Sequence, residues 1–259
     1  MSDPEPRAAE VAPLAPAYYA HPHFLSRPFL RDWWTLLHPP YTAWHLAYVV
    51  IGACLVAPVD VGRLLATLLA FFLAVGVGAH ALDELHGRPL RTGISDRVLV
   101  AASVIGIGGA VVLGVVGSIR VGPGLAVFIA VGVVLAVCYN LELFGGRLHT
   151  DATFAASWGA FPLLTAYFAQ HDRLSIAAGF AAVFAFFFSA AQRQLSTPAR
   201  RLRRRTAAVE GTVLDADGTR TALTTPVVLG PLERALRSLS WAVVAMAVAL
   251  ALVATHTLR

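Results

Sequence analysis

The sequence contains no lysine, and charged residues of every kind make up only 14% of its 259 positions. A water-soluble domain carries roughly 25% charged residues, so this chain has too little charge to cover a water-facing surface. It has two cysteines, Cys54 and Cys138, each inside an apolar run; two such thiols in separate segments do not make a disulfide framework. It has no phosphate-binding glycine loop, nucleophile elbow, paired-cysteine metal site or zinc-protease motif. The first 40 residues are polar, proline-rich and aromatic, without the apolar core of a cleavable signal peptide.

What the chain does have is apolar length. Hydrophobic residues account for 57% of it and the mean hydropathy is +0.68. Runs long enough to cross about 20 residues' worth of hydrocarbon fall near 42–58, 64–82, 98–118, 122–139, 152–169, 174–191 and 239–256. This predicts an all-α polytopic membrane bundle of about seven spans. A cytoplasmic or interfacial segment covers 1–41, six spans occupy 42–191, an Arg-rich cytoplasmic loop covers 192–238, and a last span lies in 239–259. Phe24, Phe29, Trp33 and Trp34 among Arg27, Arg31 and Asp32 suit a segment lying on the inner leaflet. Asp217-Gly218 between short alternating runs predicts a hairpin in the long loop. Ala102, Gly106, Ala110, Gly114 and Ser118 recur every four residues and form a smooth ridge for close helix packing.

All 20 basic residues are arginine, and the net charge is +5. With the N-terminus in the cytoplasm, Arg7, Arg27, Arg31, Arg88, Arg91, Arg97, Arg147 and the whole run from Arg193 to Arg237 lie inside, leaving Arg63, Arg120, Arg173 and Arg259 outside. That asymmetry fixes the expected orientation in the cell membrane. It also accounts for the positive charge without nucleic acid as a partner.

By parity, the loops after spans two, four and six emerge on one side. The first polar cluster holds His80, Asp83, Glu84, His86, Arg88 and Arg91. Helical spacing puts His80, Asp83 and Glu84 on one face. Two carboxylates at the mouth of an apolar cavity could hold a hard cation such as Mg²⁺; His80 and His86 could instead take a transition metal; or Asp83 or Glu84 pairs with Arg88 at an ordinary helix end. The second cluster runs from Tyr139 and Asn140 through Glu142, Gly145, Gly146 and Arg147 to His149 and Asp151. Asp151 suits the first turn of the following helix, and Tyr139 an interfacial aromatic belt. The third holds Gln192, Arg193, Gln194 and the run Arg200 to Arg205. That run could bind an anionic head group or act as a positive-inside anchor, the anchor being preferred for Arg201 to Arg205 and the ligand role for Arg193.

Three stretches resemble the UbiA-type prenyltransferase superfamily. They are Leu37-His-Pro-Pro-Tyr-Thr-Ala-Trp44 leading into the first span, Asp83 with Arg88-Pro-Leu-Arg-Thr-Gly-Ile-Ser95, and Tyr139, Arg147 and Ala155-Ala-Ser-Trp-Gly-Ala-Phe-Pro162. The resemblance spans about residues 35–195, by pattern rather than close identity. It implies a transferase acting on an isoprenoid diphosphate, with Mg²⁺ held by Asp-rich motifs. Carried to this chain, Asp83 and Glu84 would be catalytic and hold the metal with His80, while Arg88, Arg91, Arg147 and Arg193 receive the diphosphate and Tyr139 and Asn140 line the mouth. The sequence departs from the family at two places. Only Asp83 survives of the first Asp-rich motif, and the second is replaced by Gln192-Arg193-Gln194. The alternative expectation is a non-catalytic lipid-binding or scaffolding membrane protein.

Overall fold

The computed structural model describes residues 14–256; Arg7 and Arg259 lie outside them. Helices α1 (Pro28–Leu37) and α2 (Pro39–Cys54) meet at His38, whose left-handed backbone turns the chain between two prolines at the helix starts. A continuous rod, Val61–Leu85, consists of α3 (Val61–Phe71), a π-helical stretch (Phe72–Ala79) and α4 (His80–Leu85). Then come α5 (Asp96–Val121) and α6 (Leu125–Asn140). The next rod joins α7 (Asp151–Ala155), a second π-helical stretch (Ala156–Ala160) and α8 (Phe161–His171). The chain ends with α9 (Ile176–Arg205), a hairpin of β1 (Thr212–Leu214) and β2 (Arg220–Ala222), and α10 (Thr225–His256).

Local chemistry sets these boundaries. The Asp60 carboxylate caps α3 by accepting from the Arg63 amide at 3.0 Å. The Thr150 and Ser175 hydroxyls do the same for α7 and α9, each at 3.1 Å. Helix α5 carries Asp96 in its first turn and Arg120 in its last, matching the helix dipole.

Each apolar run expected from the sequence is helical. Four rods are long and apolar enough to cross a membrane: Val61–Leu85, Asp96–Val121, Ile176–Arg205 and Thr225–Thr255. Helices α2 and α6, at 16 residues each, reach about 24 Å and fall short of that length. Both boundaries of the long loop differ from expectation, for α10 already begins at Thr225. Residues 192–205 are not loop but the end of α9, which continues past Pro198. Arginine is a good helix former, and Arg203 to Arg205 at the C-terminal turn are favoured by the dipole. The connection therefore shrinks to 206–224. Its hairpin turns at Asp215–Gly218 and pairs Val213 with Thr221.

The bundle is apolar on its outside and small inside. Ile105, Ile119, Ile176, Phe180 and Val253 are exposed, as lipid-facing side chains are, while Ala47, Ala53, Ala166, Ala182 and Ala185 are buried. A central cluster joins α2, α8, α9 and α10 through Trp44, Tyr48, Leu163 and Val243. The Trp44 indole donates to the Tyr48 hydroxyl at 2.7 Å, which meets the Ser189 hydroxyl at 3.0 Å, so the buried polar atoms are satisfied. On the small-residue ridge of α5, a Cβ at Gly106 would sit 2.6 Å from the Leu73 carbonyl oxygen and 2.8 Å from the Gly78 amide nitrogen. Two helix backbones touch there.

Replacing Gly106 by alanine should therefore lower thermal stability by about 1–3 kcal/mol, the usual cost of overpacking. Gly108→Ala on the same helix, where a Cβ meets nothing within 4 Å, should leave the melting temperature unchanged or raise it. Equal effects of the two substitutions in a detergent melting assay would refute the backbone contact.

Candidate functional site

One end of the bundle opens into a cavity of about 900 Å³. The polar clusters after the Val61–Leu85 rod, after α6 and along α9 all contribute to its wall, with the segment at Pro16–Tyr19 and Glu233 of α10. The parity argument thus places the right loops together. Eight arginines among the described residues line it: Arg88, Arg91, Arg193, Arg200, Arg201, Arg203, Arg204 and Arg205. Against them stand three carboxylates, Asp83, Glu142 and Glu233.

Three of the arginines are tied to acids. Arg88 pairs with Asp96 and donates to the Ile94 carbonyl at 2.5 Å. Arg193 donates to Asp151 at 2.8 Å and lies over the Phe154 ring, 5.1 Å from its centre. Arg203 forms a two-pronged pair with Glu233, one contact at 2.8 Å. The other five have no carboxylate partner among the described residues. Arg204 donates only to the neutral Pro16 carbonyl, at 3.1 Å, and Arg203 likewise reaches Ala15. Neutral acceptors fix a guanidinium without cancelling its charge.

The predicted residues separate. Asp83 lines the cavity and faces Arg200, Arg204 and His149. Glu84 does not line it: it is fully buried and accepts from the Leu90 amide at 2.8 Å and from the Thr92 amide and hydroxyl at 2.9 Å each. Its carboxylate folds the 88–93 turn, where Arg88 and Arg91 adopt positive φ. His80, Arg88, Arg91, Tyr139, Asn140 and Arg193 line the cavity, whereas Arg147 is exposed and off it. His86 and His149 lie 3.9 and 3.8 Å from Glu142.

Sequence reasoning missed His38 and His45, which meet His80 beneath. His38 and His80 rings lie 4.5 Å apart, and His45 joins them in the wall. His45 Nδ1 donates to the Trp158 carbonyl at 2.8 Å and His80 Nδ1 to the Gly76 carbonyl at 3.2 Å. Because a carbonyl only accepts, Nδ1 carries the hydrogen in both. The Tyr19 hydroxyl donates to His38 Nδ1. Burial, then the neighbouring His80 ring, Arg204, Arg200 and His45, hold the His38 imidazole well below the usual histidine range. Burial likewise pushes the Tyr19 phenol well up, so the phenol keeps the proton that it donates.

Guanidinium donors dominate the wall. No group of three or more His, Cys, Asp or Glu among the described residues could hold a metal ion. Asp83 is the single cavity carboxylate free of hydrogen bonds and ion pairs there, and Mg²⁺ prefers near-octahedral oxygen coordination. These residues do not fit the paired Mg²⁺ of the resembled family. Buried polar atoms of wall residues include Tyr139 Oη and Gln192 Oε1, which lack a hydrogen-bond partner among the described residues. Compared with known proteins, the chain matches no family model, no curated protein and no solved structure.

Two outcomes follow from this geometry. Glu84→Gln replaces one carboxylate oxygen by an amide NH2, sets it against at least one of the three donors and should cost roughly 2–3 kcal/mol of stability, read as a lowered melting temperature; an unchanged melt would show that the carboxylate does not hold the turn. His38 is protonated when unfolded below about pH 6.5 but resists protonation when folded. The unfolded state then binds more protons, so stability is present above about pH 6.5 and lost as pH falls below it. His38→Gln should flatten that acid-side decline; an identical decline in the variant would assign it elsewhere.

Proposed function

We propose that this integral membrane protein is a UbiA-like bundle, with its Arg-rich end in the cytoplasm, that binds the phosphate or diphosphate head of an isoprenoid-type lipid without a metal. One observation carries the reading: five guanidiniums without carboxylate partners among the described residues surround a cavity that adjoins, at Val75 and Trp158, a separate apolar cavity. Guanidinium forks match phosphate oxygens, and partial burial of a guanidinium strengthens its pull. Arg200 and Arg204, one turn apart on α9 and half-buried, would grip the head group. Seven crossings, the shorter α2 and α6 included, complete the proposed topology.

The reaction class in this reading is prenyl transfer. The bond between the allylic carbon and the diphosphate oxygen breaks, its electron pair leaves with the diphosphate into the arginine set, and a nucleophilic acceptor bonds to the carbon and loses a proton. A second reading, a non-catalytic lipid binder, is favoured by Gln192. That residue stands where the resembled family has a carboxylate, and it is buried with Oε1 unpartnered.

Detergent-purified protein should gain thermal stability on adding farnesyl diphosphate, by roughly 2.7 kcal/mol at about 100 times the dissociation constant. The gain should persist in EDTA and fall at least about tenfold in affinity in Arg200→Gln/Arg204→Gln. A shift that needs Mg²⁺ would overturn the metal-free clamp, and no shift with any diphosphate would overturn the reading. Release of diphosphate on adding acceptors separates the transferase from the binder.

A further inference from the structure

The polar cavity has two regions of opposite hydrogen-bonding character. On one side the wall offers donors: Arg91, Arg200, Arg201, Arg204 and Arg205 lack carboxylate partners among the described residues, and a guanidinium cannot accept. Toward Trp158 the wall offers acceptors. The Nδ1 hydrogens of His45 and His80 are committed to the Trp158 and Gly76 carbonyls, so each neutral ring presents Nε2 as a lone pair. Both side chains line the cavity, and neither Nε2 makes a hydrogen bond among the described residues. The Tyr139 and Gln192 oxygens are sealed inside protein, and these two nitrogens are not. The Asp83 carboxylate, three residues after His80 on α4, adds a third acceptor to the same wall. His38 stands between the two regions, its ring 4.5 Å from that of His80 and with Arg200 and Arg204 among its charged neighbours.

A fully ionised phosphate or diphosphate serves only the first region. Its oxygens are acceptors, and against His45, His80 and Asp83 they would set lone pair against lone pair. A hydroxyl serves both regions, because its hydrogen goes to an imidazole or carboxylate while its oxygen still accepts from a guanidinium. The bond at one ring nitrogen decides what the other offers, and here both Nδ1 atoms are held by helix carbonyls. The two lone pairs are thus set before a ligand arrives, which lowers the ordering cost of binding. The volume of about 900 Å³ is that of a small-molecule site. We propose that the cavity takes a phosphorylated polyol or sugar, its phosphate on Arg200 and Arg204 and its hydroxyls on His45, His80 and Asp83. This rests on the head-group reading above and goes beyond it, since the arginines ask only for negative charge. The chemistry is the same whether the polyol phosphate is carried on a lipid or free in water.

The test is calorimetric binding to the detergent-purified full chain, with pairs of probes that share a skeleton. Inositol 1-phosphate should bind about tenfold more tightly than cyclohexyl phosphate, and glycerol 3-phosphate more tightly than propyl phosphate, as a few net hydrogen bonds provide. The hydroxyl-free member of each pair has the same charge and is the more apolar, which works against the expected order. His80→Asn keeps an N–H beside the Gly76 carbonyl and has no atom at the Nε2 position. It should remove most of the preference for inositol 1-phosphate and leave cyclohexyl phosphate binding as before; His45→Asn does the same at Trp158 and serves if the first variant does not fold. Arg200→Gln/Arg204→Gln should weaken both members of each pair. Equal affinities within the pairs would overturn the hydroxyl region, leaving its imidazoles to water and the anion site standing. A preference that survives both Asn variants would overturn the assignment to His45 and His80, and failure of every phosphate to bind would overturn the head-group reading as well. Phosphatidylinositol and its deacylated form, glycerophosphoinositol, compared in the same micelles, identify the source. Tighter binding of the lipid assigns the polyol phosphate to a lipid head and equal binding to a free molecule, and either supports the hydroxyl site.

Discussion

Hydrocarbon offers the backbone no water, so every amide and carbonyl that crosses it must be satisfied within its own helix. The rest of this molecule depends on that constraint. It forces the chain to run end to end and to leave its polar residues at the turns. Up-and-down threading then collects alternate turns at one end. The turns after the Val61–Leu85 rod and after α6, and the last part of α9, share one cavity wall, while Asp60, Arg63, Arg120 and Gln170 meet at the opposite end. Sequence distances of more than a hundred residues close because of the order of threading, with no attraction between the clusters required.

This explains which parts of the site were legible in the sequence. Charge asymmetry and parity point to the correct end and bring Asp83, Arg88, Tyr139 and Arg193 together. The division of labour between Asp83 and Glu84 is not legible. Adjacent residues on a helix point about 100° apart, and only the fold of the 88–93 turn decides that Glu84 faces three donors while Asp83 faces the cavity. The arginine run was misplaced because Pro198 and a dense charge block read as loop. Continued as a helix, Arg193, Thr197, Arg200 and Arg204 recur at spacings of four, three and four and fall on one face, all of them on the cavity wall. His38 and His45 belong to the approach to the first span and meet His80 only through packing of α2 on the second rod. No periodicity announces that.

The fold class was legible for a different reason. Composition alone excludes a soluble surface, and helix is the form that an open chain takes in lipid. Crossing number was less so, because α2 and α6 are short and the 151–171 rod, with Ser, Thr, Gln and Pro among its apolar residues, is not among the four apolar enough to qualify. A π turn widens the helix and shifts the register of every residue after it. Here both wide turns fall where the apolar and polar cavities join, and both stand against very small neighbours. Gly106 touches the backbone of the first at Leu73 and Gly78, and a Cβ on Gly159 of the second would lie 2.4 Å from the Ala185 carbonyl. Tight packing on one side of each stretch leaves its wider side toward the cavities.

The arrangement of charge supplies the remaining step. Five arginines without acidic partners among the described residues, close together and with Arg200 and Arg204 half-buried, repel one another and weaken the fold that holds them. The same residues spread along a solvated face would anchor the protein equally well. Arg204 is instead held by the carbonyl of Pro16, so the segment before α1 keeps its guanidinium in place while leaving its charge uncancelled. A local cost that the fold maintains with dedicated contacts is what a binding site looks like in a structure otherwise consistent at every level. In the proposed reading an anion relieves it, and the apolar cavity beneath makes that anion the head of a lipid.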